Sequence, residues 1–230
     1  MLDIDQPALP LQPLVLDAED PSRAAEAHTG PPLAGRVLLG GPLAVPVTAE
    51  YVAQDPDLEL FVRQEAAHSV YHVVRVTLSF PQAPGEPRLH KASVSLALDT
   101  LEAGAAKPIA WSMIPTLVTD DRERTRTLTL GPRLSFAGVE LGAGEWSSET
   151  TARRGDIHLR AEGAQTSTPS WHLTRTKALS LAGDRPLCLI VRAPKATTTT
   201  LTATIRASTR TNLLRRYRTL RTPLTLTTPL

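Results

Sequence analysis

The chain has 230 residues, long enough to bury one substantial core, and its net charge of +2 excludes a polyelectrolyte as a whole. Aromatic residues are 4% of the chain, so the core must rest on Leu, Val, Ile and Ala, while 20 prolines against 13 glycines disfavour long helices. A single cysteine, Cys188, excludes an internal disulfide or a cysteine-based zinc cluster.

The charges are unevenly placed. Up to residue 66 there are eleven acidic side chains and three basic ones (Arg23, Arg36 and Arg63), whereas after Asp184 there are nine basic side chains and no acidic one. Ends of opposite charge are expected either to pair within one molecule or to join neighbours.

Residues 1–34 read as an acidic, irregular arm. Pro7, Pro10, Pro13, Pro21, Pro31 and Pro32 argue against a central strand there. A helical turn is expected at "DPSRAAEAH", capped by Asp20. The arm either wraps the domain through Leu9, Leu11, Leu14, Val15 and Leu16 or hangs free. Its start carries Asp where a signal peptide needs a basic residue, and no apolar run approaches the ~20 residues of a membrane span. The default expectation is a cytoplasmic protein.

Residues 35–230 read as one all-β domain, an antiparallel β-sandwich of roughly 8–12 strands. "GRVLL" and "LAVPVTAEYV" are expected as strands around a Gly40-Gly41-Pro42 turn, and "DLELFV" as another short strand. The strongest hairpin signal is "VYHVVRVTLSF" and "LHKASVSLALD", each alternating with period two, around "PQAPGEPR". Further strands are expected at Pro108–Val118, Arg126–Pro132, Arg133–Leu141, Glu145–Arg153, Asp156–Gly163, Ser170–Thr176, Pro186–Pro194 and Thr197–Thr209. "TDDRERTRT" reads as a polar helical turn or a loop. No repeat at 20–50 residues argues for a propeller or solenoid.

Catalytic signatures are missing from the sequence. It contains no G-x-S-x-G elbow, no phosphate-binding G-x-x-x-x-G-K-[ST] loop and no H-E-x-x-H pair. "LGAGEW" and "RRGD" read as turns, the latter in preference to an adhesive Arg-Gly-Asp signal. The paired carboxylates Glu19-Asp20 and Asp120-Asp121 lie in polar stretches and read as solvated. His68 and His72 share a face, and His72 and His90 are expected near each other across the hairpin, but no third ligand is indicated; they read as polar-face histidines. Cys188, in "PLCLIVRAP", reads as a small buried hydrophobe. Trp171 reads as a core anchor. No catalytic residue, metal, cofactor or small-molecule substrate is therefore expected.

The basic C-terminal stretch carries the remaining signal. "TLTATIRAS" alternates as a half-buried strand with Leu201, Ala203, Ile205 and Ala207 inward. "NLLRRYRTL" reads as a helical turn or a strand, and "LRTPLTLTTPL" as an edge strand or an arm. Any function beyond folding is expected in residues 213–230 and just before them, with Arg210, Arg215, Arg216, Tyr217, Arg218 and Arg221 as interaction residues. The expectation is a non-enzymatic structural, assembly or protein-interaction module that engages itself or a protein partner through its two ends. The alternative is binding of nucleic acid or an anionic membrane surface by the basic patch.

Overall fold

The computed structural model describes residues 9–18, 33–82, 85, 88–120, 123–124, 128–131, 134–136, 155–209, 216–220 and 224–226. The protein is an antiparallel β-sandwich. Its first half runs β1 (Leu11–Ala18), β2 (Leu33–Pro46), α1 (Pro56–Glu65), β3 (Ser69–Phe80), β4 (Leu89–Thr100), β5 (Ile109–Ile114) and β6 (Leu117–Thr119). There follow β7 (Glu123–Arg124), β8 (Leu128–Gly131), β9 (Leu134–Phe136), β10 (Ile157–Glu162) and β11 (Ser170–Thr174). The last strands are β12 (Gly183–Pro194), β13 (Thr199–Thr209), β14 (Arg216–Leu220) and β15 (Leu224–Leu226).

Sheet A has the order β5-β12-β3-β2-β1, and sheet B the order β14-β13-β4-β11-β10-β6-β7, with β15 also on β13. The two sheets join through hydrogen-bonded strands on one side and through a chain crossing on the other. On one side β1 pairs with β2 and, through Asp17 and Ala18, with β14. On the other side the chain passes from β5 in sheet A to β6 in sheet B through Pro115, which follows a cis peptide bond. The open edge of β5 is covered by the turn between β10 and β11. The Ala110 amide donates to Thr166 O at 2.9 Å, and the Gln165 amide donates to Ala110 O at 2.8 Å. Strands β8 and β9 form a separate two-stranded ribbon.

The core follows the period-two pattern. From β3, Val74, Val76, Leu78 and Phe80 face inward, and they meet Ala92, Val94, Leu96 and Leu98 of β4 across the gap. Leu187, Leu189 and Val191 of β12 and Leu201, Ala203, Ile205 and Ala207 of β13 complete the same core. Trp171 is fully buried in it, and its indole Nε1 donates to Pro115 O at 3.1 Å, which ties β11 to the β5–β6 crossing. This satisfies the one polar atom of a large buried ring.

The structure corrects several expectations. The stretch "VYHVVRVTLSF"/"LHKASVSLALD" is not a hairpin: β3 pairs with β12 and β2, and β4 pairs with β13 and β11. The connecting stretch is long enough to cross the ~10 Å between packed sheets, so the two apolar faces meet each other instead of lying side by side. His72 and His90 are consequently in different sheets. His72 is buried rather than on a polar face, as is His158 of β10.

The stretch "DLELFV" is helical, not a strand. Asp55 caps it by accepting the Leu58 amide, Pro56 opens it, and Leu58 and Val62, four apart, are buried. The helix covers the outer face of sheet A. There Val47, Val52, Leu58, Val62, Tyr71, Val73, Ile114, Cys188 and Ile190 form a second apolar cluster. Strands β3 and β12 are therefore buried on both faces beneath the helix.

Gly40-Gly41-Pro42 is not a turn between two strands. Strand β2 runs through it with a shift of register against β3 between Gly40 and Leu43. Gly41 has φ +80, and a Cβ there would stand 2.7 Å from Arg75 O, so only glycine fits this close approach. Finally, Leu11–Ala18, read as irregular, is a strand with strands on both sides. It carries Pro13 at an irregularity of register between Pro13 and Val15, and Leu14 and Leu16, either side of exposed Val15, are buried. The "DPSRAAEAH" turn, "LGAGEW" and "EWSSETTAR" lie outside the described residues.

Candidate interaction surface

The two oppositely charged ends meet in the fold. Asp17 of β1 is the register partner of Arg218 of β14, and Ala18 that of Tyr217. On its other side β14 pairs with β13, placing Arg216 opposite Ser208, Tyr217 opposite Ala207 and Arg218 opposite Arg206. Of the six residues expected to act, Arg216, Tyr217 and Arg218 thus lie on one strand in the seam between the sheets; Arg210, Arg215 and Arg221 lie outside the described residues. The register sets Tyr217 level with buried Ala207, in the alternate lane from Arg216 and Arg218.

Strand alternation carries the basic lane onward across the outer face of sheet B. Arg206 is opposite Ser93 of β4, Ser93 opposite His172 of β11, and His172 opposite Arg160 of β10. One step along the strands, Ser208 is opposite Lys91, and Lys91 opposite Thr174. The side chains between the cations are small hydroxyls, so the lane is low and polar. At its far end Glu162 lies 3.8 Å from Arg160 and 3.7 Å from His172. Arg160 and Lys91 are exposed. No sequence motif singles out these residues, because four separate strands contribute them and only the register brings them together.

A second cluster stands where α1 meets sheet A. Arg192 Nε donates to Ser69 Oγ at 2.9 Å, and Arg192 Nη2 reaches Glu65 Oε2 at 3.2 Å. The Tyr71 hydroxyl donates to the same carboxylate oxygen at 3.2 Å. Burial and the neighbouring Glu65 charge push the Tyr71 phenol up to about 12, against the opposing pull of Arg192. Tyr71 packs at a tilt against Phe61 and edge-on against Trp111, so three rings line one side of the helix. Every charged member has a partner, so the cluster reads as a clamp on the helix and not as a reactive centre.

Cys188 lies under that helix with its thiol pushed up to about 12, chiefly by burial, which leaves it a poor nucleophile. His158 is buried, with Nδ1 2.9 Å from Thr174 O, and burial together with the Arg185 charge lowers its pKa. Among the described residues no group of three or more His, Cys, Asp or Glu side chains is placed to hold a metal ion, and no helix is long and apolar enough to cross a membrane.

No protein-family model matches the chain, and no curated protein matches it.

Proposed function

We propose that this chain is a non-enzymatic assembly or protein-interaction module that works through the seam between its two ends. The observation that supports this reading is the antiparallel pairing of β1 with β14, which sets Asp17 of the acidic end beside Arg218 of the basic end. Among the described residues, β1 has five register partners on β2 and two on β14. A seam between two chain ends opens at lower free energy than the interior of a sandwich. An opened seam presents unpaired strand edges, which a second copy can satisfy by exchange or a partner by strand addition.

We place the module in the cytoplasm, a reading supported by its one cysteine, which is buried and reduced. Recovery of the tagged native protein from a secreted fraction overturns that placement.

The seam reading is tested by locking it. Ala18 and Tyr217 are register partners, and antiparallel partners have Cα atoms ~4.5–5.5 Å apart, within disulfide range. In the Ala18→Cys/Tyr217→Cys chain, oxidation is expected to abolish oligomers seen by light scattering, and reduction to restore them. A native chain that stays monomeric up to high concentration, or an oligomer indifferent to the lock, overturns the proposal.

A further inference from the structure

We infer that the turn between β10 and β11 is an edge guard. By occupying the free side of β5 it keeps that strand from pairing, antiparallel and edge to edge, with β5 of a second copy. The surface is separate from the seam, and the inference stands without the assembly reading.

The strand behind the guard is suited to such pairing. β5 reads Ile-Ala-Trp-Ser-Met-Ile, without a charge, a proline or a glycine, and β12 is its one ladder partner among the described strands. The β8–β9 ribbon approaches β5 and β12 without joining their ladder. Short, uncharged, apolar strands of this kind are the ones that add to a neighbour's edge. A second copy offers the same edge, and two antiparallel β5 strands satisfy each other about a two-fold axis. Pro108 and Pro115 flank the run, so its ends are closed by residues that donate no ladder bond. The middle of the strand has no such residue.

The turn closes that middle. Ala110 presents both of its backbone groups to the free side, and both are taken. Its amide donates to Thr166 O at 2.9 Å, and its carbonyl accepts the Gln165 amide at 2.8 Å. The register on β12 sets Val191 opposite Ala110 and Ile190 opposite Ser112, so Trp111 is an extra residue, a bulge in the ladder. The Trp111 carbonyl is taken as well, by Gln165 Nε2 at 2.6 Å.

The turn is braced for this position. Its feet stand on sheet B, where the Leu96 amide donates to Pro169 O and the Leu98 amide to Ser167 O, each at 2.8 Å. Gly163 has φ +80, and a Cβ there would stand 2.7 Å from Thr168 O, so the chain turns this tightly only at glycine. Thr166 Oγ1 donates to Gly163 O at 2.7 Å and accepts the Thr168 amide at 3.2 Å. Gln165 has φ +63, which a glycine would hold at less cost. A glycine there would keep the backbone bond to Ala110 but leave Trp111 O bare. The side chain that strains the turn is the one that completes the cover of the edge.

The test is made in the oxidised Ala18→Cys/Tyr217→Cys chain, so that association through the seam does not enter. Two variants remove the guard. Gln165→Pro deletes both Gln165 donors and cannot hold φ +63. In the second, a longer Gly/Ser linker replaces residues 163–166 and unties the turn without straining a strand. Near-UV circular dichroism checks that each is folded, and the linker variant carries the test if Gln165→Pro is not. Light scattering is expected to show the mass of both rising with concentration toward twice that of the monomer. Gln165→Gly, which keeps the backbone bonds, is expected to stay monomeric. Hydrogen exchange at the Ala110 amide identifies the strand. It is expected to be about tenfold or more faster in the dilute variants than in the guarded chain, and slow again once they associate. Folded variants that stay monomeric, or that associate with the Ala110 amide still exchanging fast, overturn the inference. A lowered melting temperature with no change in mass makes the turn a brace between the sheets and overturns it equally. A locked chain that is already oligomeric counts against the seam alone; exchange at Ala110 then still decides the guard.

Discussion

The guanidinium carbon of Arg192 lies 5.3 Å from the ring centre of Trp111. The same side chain holds Ser69 and Glu65, so one residue of β12 fastens the C-terminal end of α1 and the edge strand β5 to sheet A. Arg192→Ala is expected to lower stability by about 1–2 kcal/mol, the sum of a partly exposed cation–π contact and one charged hydrogen-bond pair. Arg192→Lys should recover less than half of this, because an ammonium cannot reach Ser69 and Glu65 from one planar fork. Urea denaturation of the two variants beside the parent measures both effects; a neutral Arg192→Ala would show that the helix is held by its apolar face alone.

Among the described residues, Trp171 is the largest fully buried side chain, and it is the donor to Pro115 O. Trp171→Phe removes that donor and part of the ring volume while keeping an aromatic body. We expect a loss of about 1–3 kcal/mol, from the unsatisfied carbonyl and the small void. Trp171→Ala is expected to cost about 3–5 kcal/mol. Thermal melts of both give the order; a Phe variant as stable as the parent would mean that water replaces the indole donor.

His158 gives the fold a pH dependence of known sign. Its folded pKa is lowered, first by burial and then by the Arg185 charge, while the Thr174 carbonyl and Asp120 oppose the shift. The unfolded chain, with an ordinary histidine near ~6.5, therefore takes up the proton more readily. This contribution is fully present above about pH 6.5 and declines as pH falls below it, until the folded histidine is protonated too. His158→Gln should flatten the stability profile just below about pH 6.5. The carboxylates Asp99 and Glu102 are also lowered, each from its ordinary carboxylate value. Asp99 is held down first by the Thr100 amide, and Glu102 first by the Thr100 hydroxyl and then by the Thr198 amide, so their contribution is lost in a separate acidic window. A profile identical in parent and His158→Gln would remove His158 from this account.

The Cys188 thiol, pushed up to about 12 beneath α1, is expected to be silent to a disulfide reagent such as DTNB in the native protein at pH 8. It should react fully in denaturant. Labelling in native buffer then occurs only through opening of the helix-covered cluster. Asp55→Ala, which removes the cap of that helix, is expected to speed labelling about fivefold, the equivalent of about 1 kcal/mol. Immediate labelling of the native parent would contradict the burial.

The local pattern of β13 is legible in the amino-acid sequence alone. Leu201, Ala203, Ile205 and Ala207 alternate with Thr and Arg, and the fold buries the first set and leaves the second outward. Pro56 and Asp55 are equally visible as a helix start, yet "DLELFV" reads as a strand because a short apolar run carries no unique period. Leu58 and Val62 become a helical face only against Tyr71, Val73, Cys188 and Ile190, which lie elsewhere in the chain. Of the expected interaction residues, Arg216, Tyr217 and Arg218 stand out as a basic run. Arg206, Lys91 and Arg160 do not, since no local signal relates one strand to the strand beside it.

By itself the sequence determined the class of object. Period-two alternation, few aromatics and frequent turn residues dictate β-strands with one aliphatic face, and the charge count dictates an acidic beginning and a basic end. Only the tertiary structure decided which strands are neighbours. The apolar faces of β3 and β4 are satisfied either side by side or face to face, and their connection permits both. The choice fell to β12, β2, β13 and β11, whose hydrogen-bonding edges pair with them from distant parts of the chain. The same non-local pairing set Asp17 beside Arg218 and drew the cations of sheet B into one lane, because register is a property of two strands and is written in neither alone.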